Sequence, residues 1–318
     1  MKREWDGAAY DKLSDPQYGW GLKVLQKLQA LPLRGDEHIL DAGCGTGRVT
    51  ADLLQAFPHC RVTAVDASAN MVEEAGKRLS AFGPRVSVAQ VDLLELPNES
   101  SFDIIFSTAV FHWIQDHDRL FQVLYRSLRQ GGILLAQCGG GPNLERFRAR
   151  TAEVMRRAEF ASYFKNWDRL WEYPGPEVTA ERLKAAGFAE IKAALEPAPT
   201  VLPDEETFRR FVATVILHPH LKRLPAELHG DFLLPLAEHA AKDTPAFLLD
   251  YCRLNIYARK PRYDDLTQQK LPVGRRSDSV HANPLQRSEP VRRLQGLKSD
   301  AFNYQLPLRG EYPFTKIS

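Results

Sequence analysis

Short apolar runs alternate with amphipathic stretches through the first 140 residues. His38-Ile39-Leu40-Asp41-Ala42, Arg61-Val62-Thr63-Ala64-Val65-Asp66, Val86 to Val91, Phe102 to Ser107 and Gly132 to Ala136 are short and rich in β-branched or apolar residues, and they predict strands. Between them the apolar positions recur at helical spacing. Val49, Leu53, Leu54 and Phe57 share one face, as do Met71, Val72, Ala75 and Leu79, and then Leu120, Val123, Leu124 and Leu128. This rhythm predicts an α/β protein whose parallel sheet is covered on both faces. The texture changes after residue 142. Asn143 to Phe164 predicts a helix rich in Arg and Glu, and Glu177 to Ala186 a helix closed by Gly187. Ala189 to Leu195 reads as a strand, Glu205 to Leu217 and Ala226 to Lys242 as helices, and Phe247 to Ala258 as a strand stopped by Pro261.

Composition sharpens this picture in three places. The chain has 318 residues, 44% of them apolar and 26% charged, which supports a sizeable buried core. No apolar run is long enough to span a bilayer and no apolar stretch follows the N-terminus, so a cytoplasmic protein without a membrane segment is expected. The four cysteines, Cys44, Cys60, Cys138 and Cys252, are too scattered for a disulfide framework or a metal site. The net charge of +2 is uneven, because 12 of the basic and 6 of the acidic residues fall between Arg259 and Ser318. The body is therefore mildly acidic, which argues against nucleic acid as a partner. The expected division is a domain over 1–261, with a helical lid at about 142–176 and further helices over 203–245, followed by a basic, disordered tail over 262–318.

The chemistry concentrates in Ile39-Leu40-Asp41-Ala42-Gly43-Cys44-Gly45-Thr46-Gly47-Arg48. A strand delivers an acid, and three glycines then turn the chain into a helix whose free N–H groups face an anionic ligand end. The Gly-x-Gly-x-x-Gly dinucleotide fingerprint fails at Arg48, and no Gly-Lys-Ser/Thr phosphate loop is present.

With these residues in hand, the stretch from Trp5 to Lys260 resembles the class I S-adenosylmethionine-dependent methyltransferase family. The resemblance implies a Rossmann-like fold with a seven-stranded, mostly parallel sheet, and S-adenosyl-L-methionine as cofactor. It assigns Asp41, Gly43, Gly45 and Gly47 to the methionine end and Asp66 with Ala67 to the ribose. It places Met71, Asp92 and Leu93 at the adenine and Ser107 with Thr108 beside the reacting centre. Arg129-Gln130-Gly131-Gly132 is similar to the family's turn before the fifth strand. Within the family the chain is similar to trans-aconitate methyltransferases, through Trp5-Asp6, Tyr10, Gln17 and His112-Trp113-Ile114.

The function this implies is O-methylation of a small carboxylate metabolite. Malonyl-carrier-protein O-methylation and a non-catalytic cofactor-binding sensor are the alternatives. Tyr10, Gln17, Trp20, His112, Trp113, Arg146 and Trp167 are the candidate substrate contacts, and His112 is the candidate base. No metal is expected, and the substrate and oligomeric state are not legible.

Overall fold

The computed structural model describes residues 4–97, 99–167 and 170–268. The chain enters through two helices, α1 (Gly7–Leu13) and α2 (Asp15–Gln29). Strand and helix then alternate through β1 (His38–Ala42), α3 (Arg48–Ala56), β2 (Arg61–Asp66), α4 (Ala69–Leu79), β3 (Val86–Gln90), β4 (Phe102–Thr108), α5 (His117–Ser127) and β5 (Leu128–Gly139). α4 starts where the Ser68 hydroxyl accepts from the Met71 N–H, and α5 starts where the Asp116 carboxylate accepts from the Arg119 N–H.

The rest contributes α6 (Glu145–Met155), α7 (Ala158–Ala161), α8 (Pro176–Ala185), β6 (Ala189–Pro197), β7 (Thr200–Val201), α9 (Glu205–Phe211), α10 (His218–Leu221), α11 (His229–Ala241), β8 (Leu248–Leu249) and β9 (Cys252–Arg259). The main sheet runs β3-β2-β1-β4-β5-β9-β6, while β7 and β8 form a separate ribbon. Pairing is parallel from β3 to β5, and only β9 runs against its neighbours. Strand order turns between β1 and β4, which is where open α/β sheets place their ligands, beyond the carboxyl ends of the strands.

Period-two alternation builds two cores. Ile39, Ile104, Phe106 and Leu135 face Val24, Leu28, Leu53 and Leu79 of α2, α3 and α4. Leu40, Ile105, Leu134 and Ala136 face Phe121, Leu124 and Leu183 of α5 and α8. A third core lies outside the sheet, where Phe147, Phe160 and Phe164 pack with Phe208, Phe211, Phe232 and Leu236. The expected lid and the expected later helices are thus one helical cap.

Several boundaries differ from the sequence reading. The Asn143–Phe164 helix starts after Leu144, whose φ of 54° is left-handed, and it breaks after Met155. β5 is longer than Gly132–Ala136. The Phe247–Ala258 strand splits because the Asp250 carboxylate accepts from the N–H groups of Arg146 and Phe147, capping α6. A last helix, α12 (Tyr263–Gln268), continues past Pro261. Residues 269–318, where the basic tail was expected to be disordered, lie outside the described residues. Among the described residues no helix is long and apolar enough to cross a membrane.

Candidate active site

A cavity of about 490 Å³ opens at the switch point. Gly43 and Gly45 from the loop after β1, Asp66 from β2, Asp92 after β3 and Thr108 from β4 line it. The loop has its shape because Gly43 and Gly45 hold φ of +89° and +55°, a region that favours glycine. The N–H groups of Gly43 and Cys44 both donate to the Val65 carbonyl at 2.9 Å, which pins the loop to β2. A Cβ on Gly45 would meet nothing within 4 Å, so this glycine leaves open space in the cradle. A Cβ on Gly43 would sit 2.2 Å from Val110 Cγ2.

Two buried carboxylates shape the electrostatics. Asp41 accepts from Thr50 Oγ1 at 2.6 Å, and burial pushes its pKa up to about 7, with the negative charge of Asp66 adding to the shift. The Asp66 carboxylate accepts from the Gly45 N–H at 3.0 Å and the Ser68 N–H at 2.9 Å. Burial raises its pKa while those amides lower it. Each oxygen of Asp66 keeps a second lone pair that could accept from a ligand hydroxyl.

The raised pKa of Asp41 yields a signed prediction. Relative to the unfolded chain, the native state holds its proton more tightly. The stabilisation is therefore present below about pH 4 and is lost as pH rises through about 7. Melting of the ligand-free protein should come at falling temperature between pH 5.5 and 8, and Asp41→Asn should flatten that slope. A slope unchanged in the variant would contradict the assignment.

The N-terminal segment closes over this cavity. Glu4 accepts from the Ser68 hydroxyl at 3.0 Å and from the Ala69 N–H at 3.2 Å, covering the start of α4. Trp5 stacks on His218 of the cap at 5.4 Å and meets Trp113 edge-on at 5.1 Å.

A second, smaller pocket of about 30 Å³ shares Tyr10, Gln17, Ala109 and Trp113 with the first cavity. Its other lining residues include His112, Asn143, Trp171, Tyr173, Tyr251 and Arg253. No carboxylate is among the described residues of this lining. Burial pushes the Tyr10 phenol up to about 12 and the phenols of Tyr173 and Tyr251 upward as well, so all three stay protonated donors at neutral pH. Arg253 is buried, and its Nε and Nη2 have no acceptor among the described residues.

The sequence candidates divide on this geometry. Asp41, Gly43, Gly45, Asp66, Ala67, Met71, Asp92 and Leu93 line the large cavity. Tyr10 and Gln17 line both spaces, as does Trp113, while His112 lines the small one. Gly47, Ser107, Trp20, Arg146 and Trp167 line neither. A Cβ on Gly47 would press on Leu79 and Ala75, so its task is close helix packing. Ser107 donates to the Ala42 carbonyl at 2.6 Å and ties β4 to β1, and its neighbour Thr108 faces the cavity instead.

Arg146 reaches the Leu248 carbonyl at 3.1 Å and Asp243 at 3.4 Å, beside a two-pronged pair of Arg150 with Asp243. These arginines stitch the two halves of the cap together. Trp20 packs on Tyr251 at 4.8 Å and Trp167 on His220 at 4.8 Å. The site residues absent from the sequence reading are Asn143, Tyr251 and Arg253, while Tyr173 falls in the segment expected as a lid. The available signal for Arg253 was a charge in the apolar run Cys252-Arg253-Leu254.

The sheet order and the glycine cradle between two acids define a doubly wound, nucleotide-cofactor enzyme of the methyltransferase type. Comparison with known proteins agrees. A methyltransferase-domain family model matches residues 39–132. Trans-aconitate 2-methyltransferase of Deinococcus radiodurans is 35% identical over 236 residues, covering 72% of this chain and 87% of that protein. The Methylobacterium nodulans enzyme of the same name is 30% identical, covering 81% of this chain and 99% of that one. A malonyl-[acyl-carrier protein] O-methyltransferase of Priestia megaterium is 34% identical but covers only 42% of this chain and half of that protein. Haemonchus contortus phosphoethanolamine N-methyltransferase 2, solved with S-adenosylhomocysteine, superposes with a TM-score of 0.53 at 21% identity, over 80% of this chain and 57% of that one, and shows the shared fold. The chain belongs to the class I S-adenosylmethionine-dependent methyltransferase family, within which it is similar to the trans-aconitate methyltransferases. It is an S-adenosylmethionine-dependent methyltransferase.

Proposed function

We propose that this enzyme esterifies a carboxylate oxygen of a small metabolite, with trans-aconitate as the leading substrate. The observation that carries this reading is the proton inventory of the small pocket. Its phenols stay protonated, its cation cannot lose a proton, and no carboxylate is present among its described lining residues. His112 does not supply a base either. Its Nδ1 accepts from the Gly139 N–H at 3.3 Å, which leaves the ring proton on Nε2. A nucleophile held where this pocket meets the large cavity, among Tyr10, Gln17, Ala109 and Trp113, finds no base in those residues, and a carboxylate, already ionised at neutral pH, needs none.

The cradle fits the cofactor. Asp41 and the open backbone at Gly45 would hold its amino-acid end, Asp66 its ribose hydroxyls, and Met71, Asp92 and Leu93 its adenine. When bound, the cofactor supplies a sulfonium-activated methyl group. The protein's own work is then to desolvate and orient a carboxylate beside Thr108 and Ala109, with the aromatic wall of Trp5, Tyr10 and Trp113 excluding water. One C–O bond forms, one S–C bond breaks, and no proton moves.

A carrier-protein substrate has less support. Arg48, the arginine in the large cavity's lining, is already paired with Asp15 at 2.9 Å. The base-free reading predicts that kcat at saturating cofactor stays flat from pH 6 to 9, and that His112→Asn lowers it less than about tenfold. A titrating limb in kcat that disappears in His112→Asn would restore the histidine as base.

A further inference from the structure

A desolvated charge with no counter-ion is costly to fold, and Arg253 has none among the described residues. It stands on β9 at 2% exposure. Its Cζ lies 4.3 Å from the Trp20 ring centroid, with Tyr10, Tyr173 and Tyr251 around it. Two other shielded cations of this fold are treated differently. Arg150 holds Asp243 with two hydrogen bonds of 2.8 and 2.7 Å. Lys260 donates to the carbonyls of Tyr125 and Leu128 at 2.9 and 2.7 Å. Arg253 alone among these three keeps two buried donors, Nε and Nη2, without an acceptor among the described residues, and it lines a pocket.

That pocket has a definite size and place. At about 30 Å³ it admits a group the size of a water or a carboxylate, not a whole metabolite. A planar guanidinium matches a carboxylate with two parallel bonds. The pocket borders the large cavity through Tyr10, Gln17, Ala109 and Trp113, but includes none of Gly43, Gly45 or Asp66. A carboxylate clamped here lies beyond the cofactor cradle, and the clamp draws electron density from both its oxygens. It is poorly placed and poorly nucleophilic for methyl transfer.

We infer that Arg253 is a specificity-determining residue that clamps a carboxylate which is not methylated, so that an acid with a second carboxylate is preferred over a monocarboxylate. This rests on the carboxylate reading above. The second carboxylate, at the boundary of the two spaces, is the one esterified, and the product keeps the clamped acid free.

The test combines binding, kinetics and melting on the full chain. Tricarballylate is titrated calorimetrically into protein loaded with S-adenosylhomocysteine, and kinetics compare trans-aconitate with crotonate, which has the same three-carbon chain but one carboxylate. Arg253→Met and Arg253→Gln should weaken tricarballylate binding and raise KM for trans-aconitate by roughly 100-fold. They should leave kcat/KM for crotonate within about threefold. The ligand-free variants should melt no lower than wild type, since an unpaired buried charge has been removed, whereas a merely structural arginine would leave a destabilised protein. Arg253→Lys checks that a charge without the fork restores only part of the affinity.

Unchanged tricarballylate binding in Arg253→Met, or equal losses for both acids, would overturn the clamp. If wild type methylates no acid yet binds tricarballylate through Arg253, the clamp stands and esterification falls. If wild type neither binds nor methylates, both fall.

Discussion

Gly43→Ala is expected to reduce cofactor affinity by roughly 100-fold or more, measured by calorimetry. Two costs combine. The backbone at φ +89° is strained for any residue with a Cβ, at about 1–3 kcal/mol. The added atom would lie 2.2 Å from Val110 Cγ2 and 2.6 Å from Val110 Cγ1, an overpacking of about 1–3 kcal/mol more. Relief can come only by moving the loop off Val65 or by moving Val110, and Val110 itself lines the cavity. The mechanism is separable from general damage. Gly43→Ala combined with Val110→Ala should recover part of the affinity, because the clash is with that side chain. A single variant that binds within threefold of wild type would refute this account of the loop.

Asp66→Ala is the second large effect, with an expected loss of about 100- to 1,000-fold in cofactor affinity. Two hydrogen bonds from ligand hydroxyls to a buried carboxylate contribute about 1.5–3 kcal/mol each. The same carboxylate also satisfies the Gly45 and Ser68 N–H groups, so its removal loosens the cradle. Asp66→Asn keeps one acceptor oxygen and should fall between wild type and alanine. Retained affinity in Asp66→Ala would remove the ribose from this end of the cavity.

Much of this architecture is legible in the residues. β1 to β5 announce themselves because alternation and helical spacing follow each other at short range, and Ile39 and Leu40 face opposite cores as the pleat demands. The glycine loop is legible because few other functions need an acid followed by three closely spaced glycines. The cap is not. Phe147 and Phe208 pack together although 61 residues apart, and no local period announces that contact. Nor can a strand's sequence say which of two neighbours faces a ligand: of Ser107 and Thr108, both read as beside the reacting centre, only Thr108 lines the cavity. Trp20 and Trp167 read as pocket aromatics by residue type, yet both are packing surfaces. Arg253 is hidden for the opposite reason: a strand buried on both faces has no expected place for a charge.

The central claim is transfer of a methyl group to a carboxylate that needs no base. Its most direct test incubates the protein with methyl-labelled S-adenosyl-L-methionine and trans-aconitate, then identifies the product by mass and by sensitivity to mild alkali. The account predicts one labelled methyl per molecule, held as an ester and released by alkaline hydrolysis, with the other two carboxylates, the clamped one among them, left free. Cofactor binding without label transfer to trans-aconitate or other small acids would contradict it, as would label recovered in an alkali-stable bond to nitrogen or carbon.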